Sequence, residues 1–159
     1  FALIPIAVKD RRVSCQLLLK NWFWVLLGNL LGSVTYAYLY CIVATKMGTV
    51  DPETLPALQR TMMIAETKTL EYAKLGWDGM VTAFTSAILC NWMVTLGAVM
   101  AFTSTATIGK IAAMWLPIMT FFGLGYEHAI VNMFVIPAGI LLGVLLLPGW
   151  IGGYGTVFR

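Results

Sequence analysis

Long apolar runs separated by polar connections dominate this chain. Two runs, residues 22–44 and residues 80–102, each contain roughly the twenty residues that a helix needs to cross the hydrocarbon layer of a membrane. The connection between them, residues 45–76, carries charges of both signs, and residues 58–75 within it are predicted to form an amphipathic helix on the membrane surface. Asp78 is placed to cap the second span. The pattern predicts an all-α protein that crosses the membrane several times.

The third apolar run, residues 111–147, is too long for one crossing. It is interrupted by Pro117, by the glycines of residues 123–125 and by Pro137. We expect two half-helices with a break near residues 123–127, because one straight helix of that length would overshoot the bilayer. Irregular backbone at membrane depth is tolerated only where protein shields it or where it lines a wet cavity.

The only histidine of the chain, His128, lies next to Glu127 at this break. An ionisable group at membrane depth is costly, and it is kept mainly where it meets a partner, a cavity or a substrate. An imidazole exchanges a proton close to neutral pH, so it can offer a positive charge or a proton to a small anion in an apolar pore. The alternative is a histidine with a purely structural role in the packed protein.

Composition supports a membrane protein and argues against other classes. The chain is 60% hydrophobic and 11% charged, and its mean hydropathy is +0.85. The formal net charge of +3 is small and the basic residues are scattered, so nothing indicates a nucleic-acid partner. The three cysteines lie far apart and form no metal-binding spacing, and no cofactor is expected. The sequence contains no nucleophile–base pair or phosphate-binding loop that would indicate an enzyme.

The distribution of basic residues predicts the orientation. The densest cluster, residues 9–12 followed by Lys20, precedes the first span. The positive-inside rule therefore places this end in the cytoplasm and residues 45–76 outside. Within the first span, Gly28 and Gly32 form a GxxxG pair, which either allows another helix to approach closely or is a chance spacing in a glycine-containing helix.

Several short motifs occur in a characteristic order along the chain. They are Lys20-Asn21-Trp22, Gly28-Asn29-Leu30-Leu31-Gly32, Cys90-Asn91-Trp92-Met93-Val94, Gly125-Tyr126-Glu127-His128, Asn132-Met133-Phe134 and Ile136-Pro137. Together with the membrane spacing, they closely resemble the formate/nitrite transporter family over nearly the whole chain. The resemblance implies a homopentamer in which each protomer has an aquaporin-like fold of six membrane segments, with segments two and five broken. On that template the chain is a partial protomer: it holds the end of segment two, segments three and four and the broken segment five, and lacks segments one and six.

The resemblance also implies roles for individual residues. His128 corresponds to the central pore histidine, Asn91 to an amide that faces the pore near it, and Phe121 to the aromatic residue that narrows the pore on its outer side. Glu127 matches the acid beside the histidine, although a structural role in holding the broken backbone is equally expected. Lys74 corresponds to a basic residue that draws anions into the vestibule, if one residue is inserted in the loop.

Three positions depart from the family pattern. Ala129 stands where serine is common after the histidine, and Val131 stands where alanine is usual. Ser86 stands where a basic residue is frequent before the Cys90-Asn91 motif. These departures leave the pore width and the substrate preference open.

The function implied by the resemblance is a channel or proton-coupled transporter for small monovalent anions in the plasma (inner) membrane. Residues 134–137 favour formate, nitrite is the second choice, and hydrosulfide or lactate stays open. An anion that takes a proton at His128 could pass Phe121 as a neutral acid. Two other classes also stay open. One is a non-conducting structural membrane subunit, and the other is a subunit in which His128 ligates haem with a second ligand from another chain.

Overall fold

The structure is a computed structural model that describes residues 4–145, and within them it contains helices and no strands. The elements are α1 (Ile4–Lys9), α2 (Cys15–Ala44), a 3₁₀ turn (Pro52–Thr54), α3 (Pro56–Glu66), a π-helical turn (Thr67–Glu71), α4 (Tyr72–Lys74), α5 (Trp77–Thr103), α6 (Thr107–Gly123) and α7 (Ala129–Leu145). They divide into two compact units. The first unit contains the chain up to Leu26 together with Val81–His128, and the second contains Leu27–Met80 together with the chain from Ala129 onwards.

Two helices confirm the predicted continuous spans. By length and composition, α2 with 30 residues and α5 with 27 residues can each cross a membrane. α2 begins at Cys15, well before residue 22, because Ser14 caps it by accepting a hydrogen bond from the backbone N–H of Leu17 (3.3 Å). α5 begins at Trp77, so the prediction that Asp78 precedes and caps this helix is wrong. Asp78 lies in the first turn, where a carboxylate complements the positive end of the helix dipole.

A left-handed turn follows the end of α2. Lys46, Met47 and Gly48 have φ angles of +49°, +59° and +82°. The buried hydroxyl of Thr45 ties this turn to the helix, since it donates to the carbonyl of Cys41 (2.6 Å) and accepts from the N–H of Gly48 (3.0 Å). The turn therefore ends the span and starts the polar connection.

The polar connection is helical as predicted, while its location on the membrane surface stays a prediction. α3, the π-helical turn and α4 follow one another without interruption, and α3 packs on α7 in the second unit. The two helices approach closely because α7 has Gly139 at the crossing, where a Cβ atom would overlap the Cβ of Ala65. Five buried residues of this unit form one apolar cluster. They are Ala37, Cys41, Leu58, Ala138 and Leu142.

The third apolar run is confirmed as two helices, α6 and α7, separated by residues 124–128. α6 begins at Thr107, slightly before the predicted start. In the first unit α6 lies close to α5 at Gly97. A Cβ atom built at Gly97 would be 3.3 Å from the carbonyl oxygen of Ala113 and 3.4 Å from Cγ of Pro117. The missing side chain at Gly97 thus allows the two backbones to approach.

Candidate functional site

The break between α6 and α7 is built by a glycine turn. The N–H of Gly125 donates to the carbonyl of Phe122 (3.1 Å), and the N–H of Tyr126 donates to the carbonyl of Phe121 (3.0 Å). These two bonds form a Schellman motif, which satisfies the last carbonyls of a helix and needs a left-handed residue just after it. Gly125 occupies that position with a φ of +69°. Residues 126–128 then continue without helical structure to the start of α7.

The turn places His128 against Phe121. The two rings are stacked, with centroids 5.4 Å apart and planes inclined by 17°. Phe121 is only 3% exposed, and His128 is half-buried. On its own helix, Phe121 also stacks on Phe122, at a centroid distance of 4.6 Å. An aromatic face within about 6 Å attracts a cation, so this ring can stabilise the imidazole when it is protonated.

Glu127, between the turn and the imidazole, is held from α5. Its backbone N–H donates a hydrogen bond to the Ser86 hydroxyl oxygen (2.9 Å), and the residue is buried, with 8% of its surface exposed. A buried N–H in a non-helical stretch needs such a partner, because leaving it unpaired costs the free energy of a lost hydrogen bond. In the sequence, Ser86 stands out only as a departure from the family pattern, and its contact with Glu127 is not predicted. The one available signal was a small polar residue in an apolar span.

Two of the predicted site residues have no described contact with this cluster. Asn91 is on α5, where it is exposed, and no contact described within residues 4–145 joins it to His128. Lys74 is the last residue of α4, is exposed, and belongs to the second unit. The structure therefore brings together Phe121, Glu127 and His128, while the pore roles of Asn91 and Lys74 stay predictions.

The chemistry of the cluster is that of one imidazole, one neighbouring carboxyl group and a buried aromatic face. Within residues 4–145, no group of three His, Cys, Asp or Glu side chains could hold a metal ion. Cys41 and Cys90 are buried free thiols, and Cys15 is an exposed one.

These features define a polytopic α-helical membrane protein in which the break of one segment presents an imidazole. The chain belongs to the formate/nitrite transporter family, since the family model for formate/nitrite transporters matches residues 1–156. It is therefore an integral membrane protein of a transporter family. No solved structure matches the chain significantly.

Curated relatives agree with this family. A Methanothermobacter thermautotrophicus protein named "Probable formate transporter" is 40% identical over 147 residues, which cover 88% of this chain and 52% of the relative. The formate channel BtFdhC of Bacillus thuringiensis is 30% identical over 142 residues, which cover 89% of this chain and 50% of the relative. The formate channel FocA of Escherichia coli strain K12 is 31% identical over 140 residues, covering 88% and 45%. The chain spans about half the length of these relatives.

Proposed function

We propose that the full-length protein is a channel or proton-coupled transporter for small monovalent anions in the plasma membrane, with formate as its substrate and nitrite as the alternative. The observation that carries this proposal is the stack of His128 on the buried ring of Phe121 at the break of a membrane segment. Relatives named as formate channels support the choice of formate.

The proposed mechanism compensates the charge of the anion at the break. Moving an unpaired anion into an apolar pore costs several kcal/mol, so the anion needs a counter-charge or a proton there. His128 supplies either, because an imidazole exchanges a proton near neutral pH. Once protonated, the anion passes the ring of Phe121 as a neutral acid. α7 begins directly after His128, so the positive end of its dipole lies at the break and favours the anion.

The other predicted residues have auxiliary roles in this proposal. Asn91 orients the anion or the imidazole by hydrogen bonding, and Lys74 draws anions toward the entrance. Glu127 keeps the broken backbone in place, and the burial of this residue supports that structural role.

Anion flux across a pH series tests the proposal. Full-length protein in proteoliposomes that contain an internal pH dye is assayed with formate and with nitrite. His128→Asn keeps a planar polar side chain but cannot exchange a proton, so it should abolish proton-coupled flux or leave anion flux that is insensitive to pH. If His128→Asn retains both the wild-type flux and the wild-type proton coupling, the histidine is structural and the mechanism is wrong.

Phe121→Ala distinguishes the contribution of the apolar ring of Phe121 from that of proton exchange at His128. The substitution removes the buried ring, so it should raise leak while keeping the pH response of His128. Phe84→Ala is the matched control, because Phe84 is also aromatic but lies 69% exposed on α5.

The same measurements on the wild-type protein test the two alternative classes. Absence of flux for every anion would favour a non-conducting subunit, and a haem absorption band in the purified protein would favour the haem-ligand alternative.

We further propose that the protein assembles as a cyclic homopentamer, in which α1 is the end of segment two, α2 and α5 are segments three and four, and α6 with α7 form segment five. The surface at Gly28 and Gly32 is a candidate helix-packing face, since no described atom lies within 4 Å of a Cβ built at either glycine. Native mass spectrometry of the full-length protein should report five subunits. A stable monomer or dimer would contradict this assembly.

A further inference from the structure

The hydroxyl of Ser86 makes a polar link between α5 and the break in the first unit. It accepts the N–H of Glu127 at 2.9 Å, across 41 positions of sequence. Glu127 immediately precedes His128, and the ring of His128 stacks on Phe121 at the end of α6. The bond therefore fixes the backbone one residue away from the imidazole.

A second contact joins α5 to α6. Further along the same continuous helix, Gly97 approaches the carbonyl of Ala113 and the ring of Pro117 in the middle of α6. α5 thus contacts the interrupted segment at two points, one on α6 and one beyond its end. Because α5 is unbroken between them, the position of Glu127 is tied to the position of α6.

We propose that Ser86 is a positioning residue of the pore site, whose hydroxyl holds the Glu127 amide and thereby keeps His128 stacked on Phe121. The consequence for transport rests on the function proposed above, whereas the consequence for the Glu127 amide does not.

Serine at position 86 can play this role, whereas the basic residue that is frequent there in the family cannot. A serine hydroxyl has two acceptor lone pairs, so it can receive the N–H of Glu127. Lysine and arginine side chains have donors and no acceptor, so the basic residue that is frequent here in the family could not make this bond. Ser86 therefore supplies a restraint that depends on the departure from the family pattern.

An isosteric pair of variants tests the bond in the full-length protein. Ser86→Thr keeps the hydroxyl, while Ser86→Val has the same shape as threonine without an acceptor. Hydrogen–deuterium exchange of the peptide that contains residues 125–128 should be roughly three- to tenfold faster in Ser86→Val, in line with the loss of one hydrogen bond, and close to wild type in Ser86→Thr. Thr85→Val makes the same change at the exposed neighbouring position of α5 and should leave the exchange unchanged.

Formate flux in proteoliposomes provides the functional measurement. Ser86→Val should lower flux by about threefold or more, and Ser86→Thr should restore it, because a loosened break lets the imidazole leave the position at which it meets the anion. Equal exchange and equal flux in the threonine and valine variants would overturn the role of Ser86. If the wild-type protein conducts no anion, the proposed function fails, and the exchange comparison still decides whether Ser86 holds the break.

Discussion

Gly125 shows how one residue shapes the candidate site. Its φ of +69° lies in the left-handed region, and no described atom lies within 4 Å of a Cβ built on it. Glycine is therefore needed at position 125 because of the backbone conformation and not because space is lacking. Without that conformation the Schellman motif that ends α6 could not close, and His128 would not return to Phe121.

We expect Gly125→Ala to destabilise the full-length protein by about 1 kcal/mol, because an L-residue in the left-handed region brings its Cβ close to the following carbonyl oxygen. The measurement is the free energy of unfolding in mixed detergent micelles. Gly123→Ala is the matched control, since Gly123 also has open space around it but lies in the last turn of α6. Its substitution should be neutral or slightly stabilising, and equal losses at the two glycines would show that φ is not the cause.

At the scale of elements, the contact between α3 and α7 depends on the size of two small residues. Gly139 on α7 faces Ala65 on α3, and the carbonyl oxygen of Thr61 lies 3.5 Å from a Cβ built at position 139. Neither neighbour is the end of a flexible side chain, so neither can yield. The polar connection is held against a membrane helix by this close approach and by burial of Leu58.

Gly139→Ala should therefore cost about 1–3 kcal/mol of unfolding free energy through overpacking. The double variant Gly139→Ala with Ala65→Gly should recover much of that loss, because it moves the methyl group from one helix to the other. Gly123→Ala, at an open position in the last turn of α6, should change stability little. Additive effects in the double variant would mean that the two positions do not meet.

At the scale of the whole molecule, we expect the distribution of charge to set the orientation in the membrane. Lys9, Arg11, Arg12 and Lys20 are exposed around the start of α2. Moving such residues across the membrane is unfavourable, so this end is expected in the cytoplasm and the connection that contains α3 outside.

The exposed thiol of Cys15 allows a direct test of orientation, because Cys41 and Cys90 are buried. In whole cells, an impermeant maleimide should leave native Cys15 unlabelled until the membrane is opened. Thr54→Cys, made in a Cys15→Ser background, should be labelled in intact cells. The reverse pattern would invert the topology.

Much of this architecture could be predicted from the sequence, because it depends on local composition. A window of about twenty apolar residues favours membrane insertion wherever it occurs, so the two continuous spans could be predicted from the sequence. The length of the third run, its glycines and the lone histidine located the break and His128. Ordered motifs were enough to identify the family, and the family model confirms it.

Only the tertiary structure decided which groups meet. The bond from Glu127 to Ser86 and the close approach of Gly139 to Ala65 join residues that lie far apart in sequence. The stack of His128 on Phe121 depends on the exact course of a turn, although the two residues are near neighbours in sequence. Local patterns report the cost of moving each segment out of water, whereas such contacts depend on the rotation and separation of packed helices. That is the physical reason why the sequence located the histidine but not the contact between Ser86 and the N–H of the preceding residue.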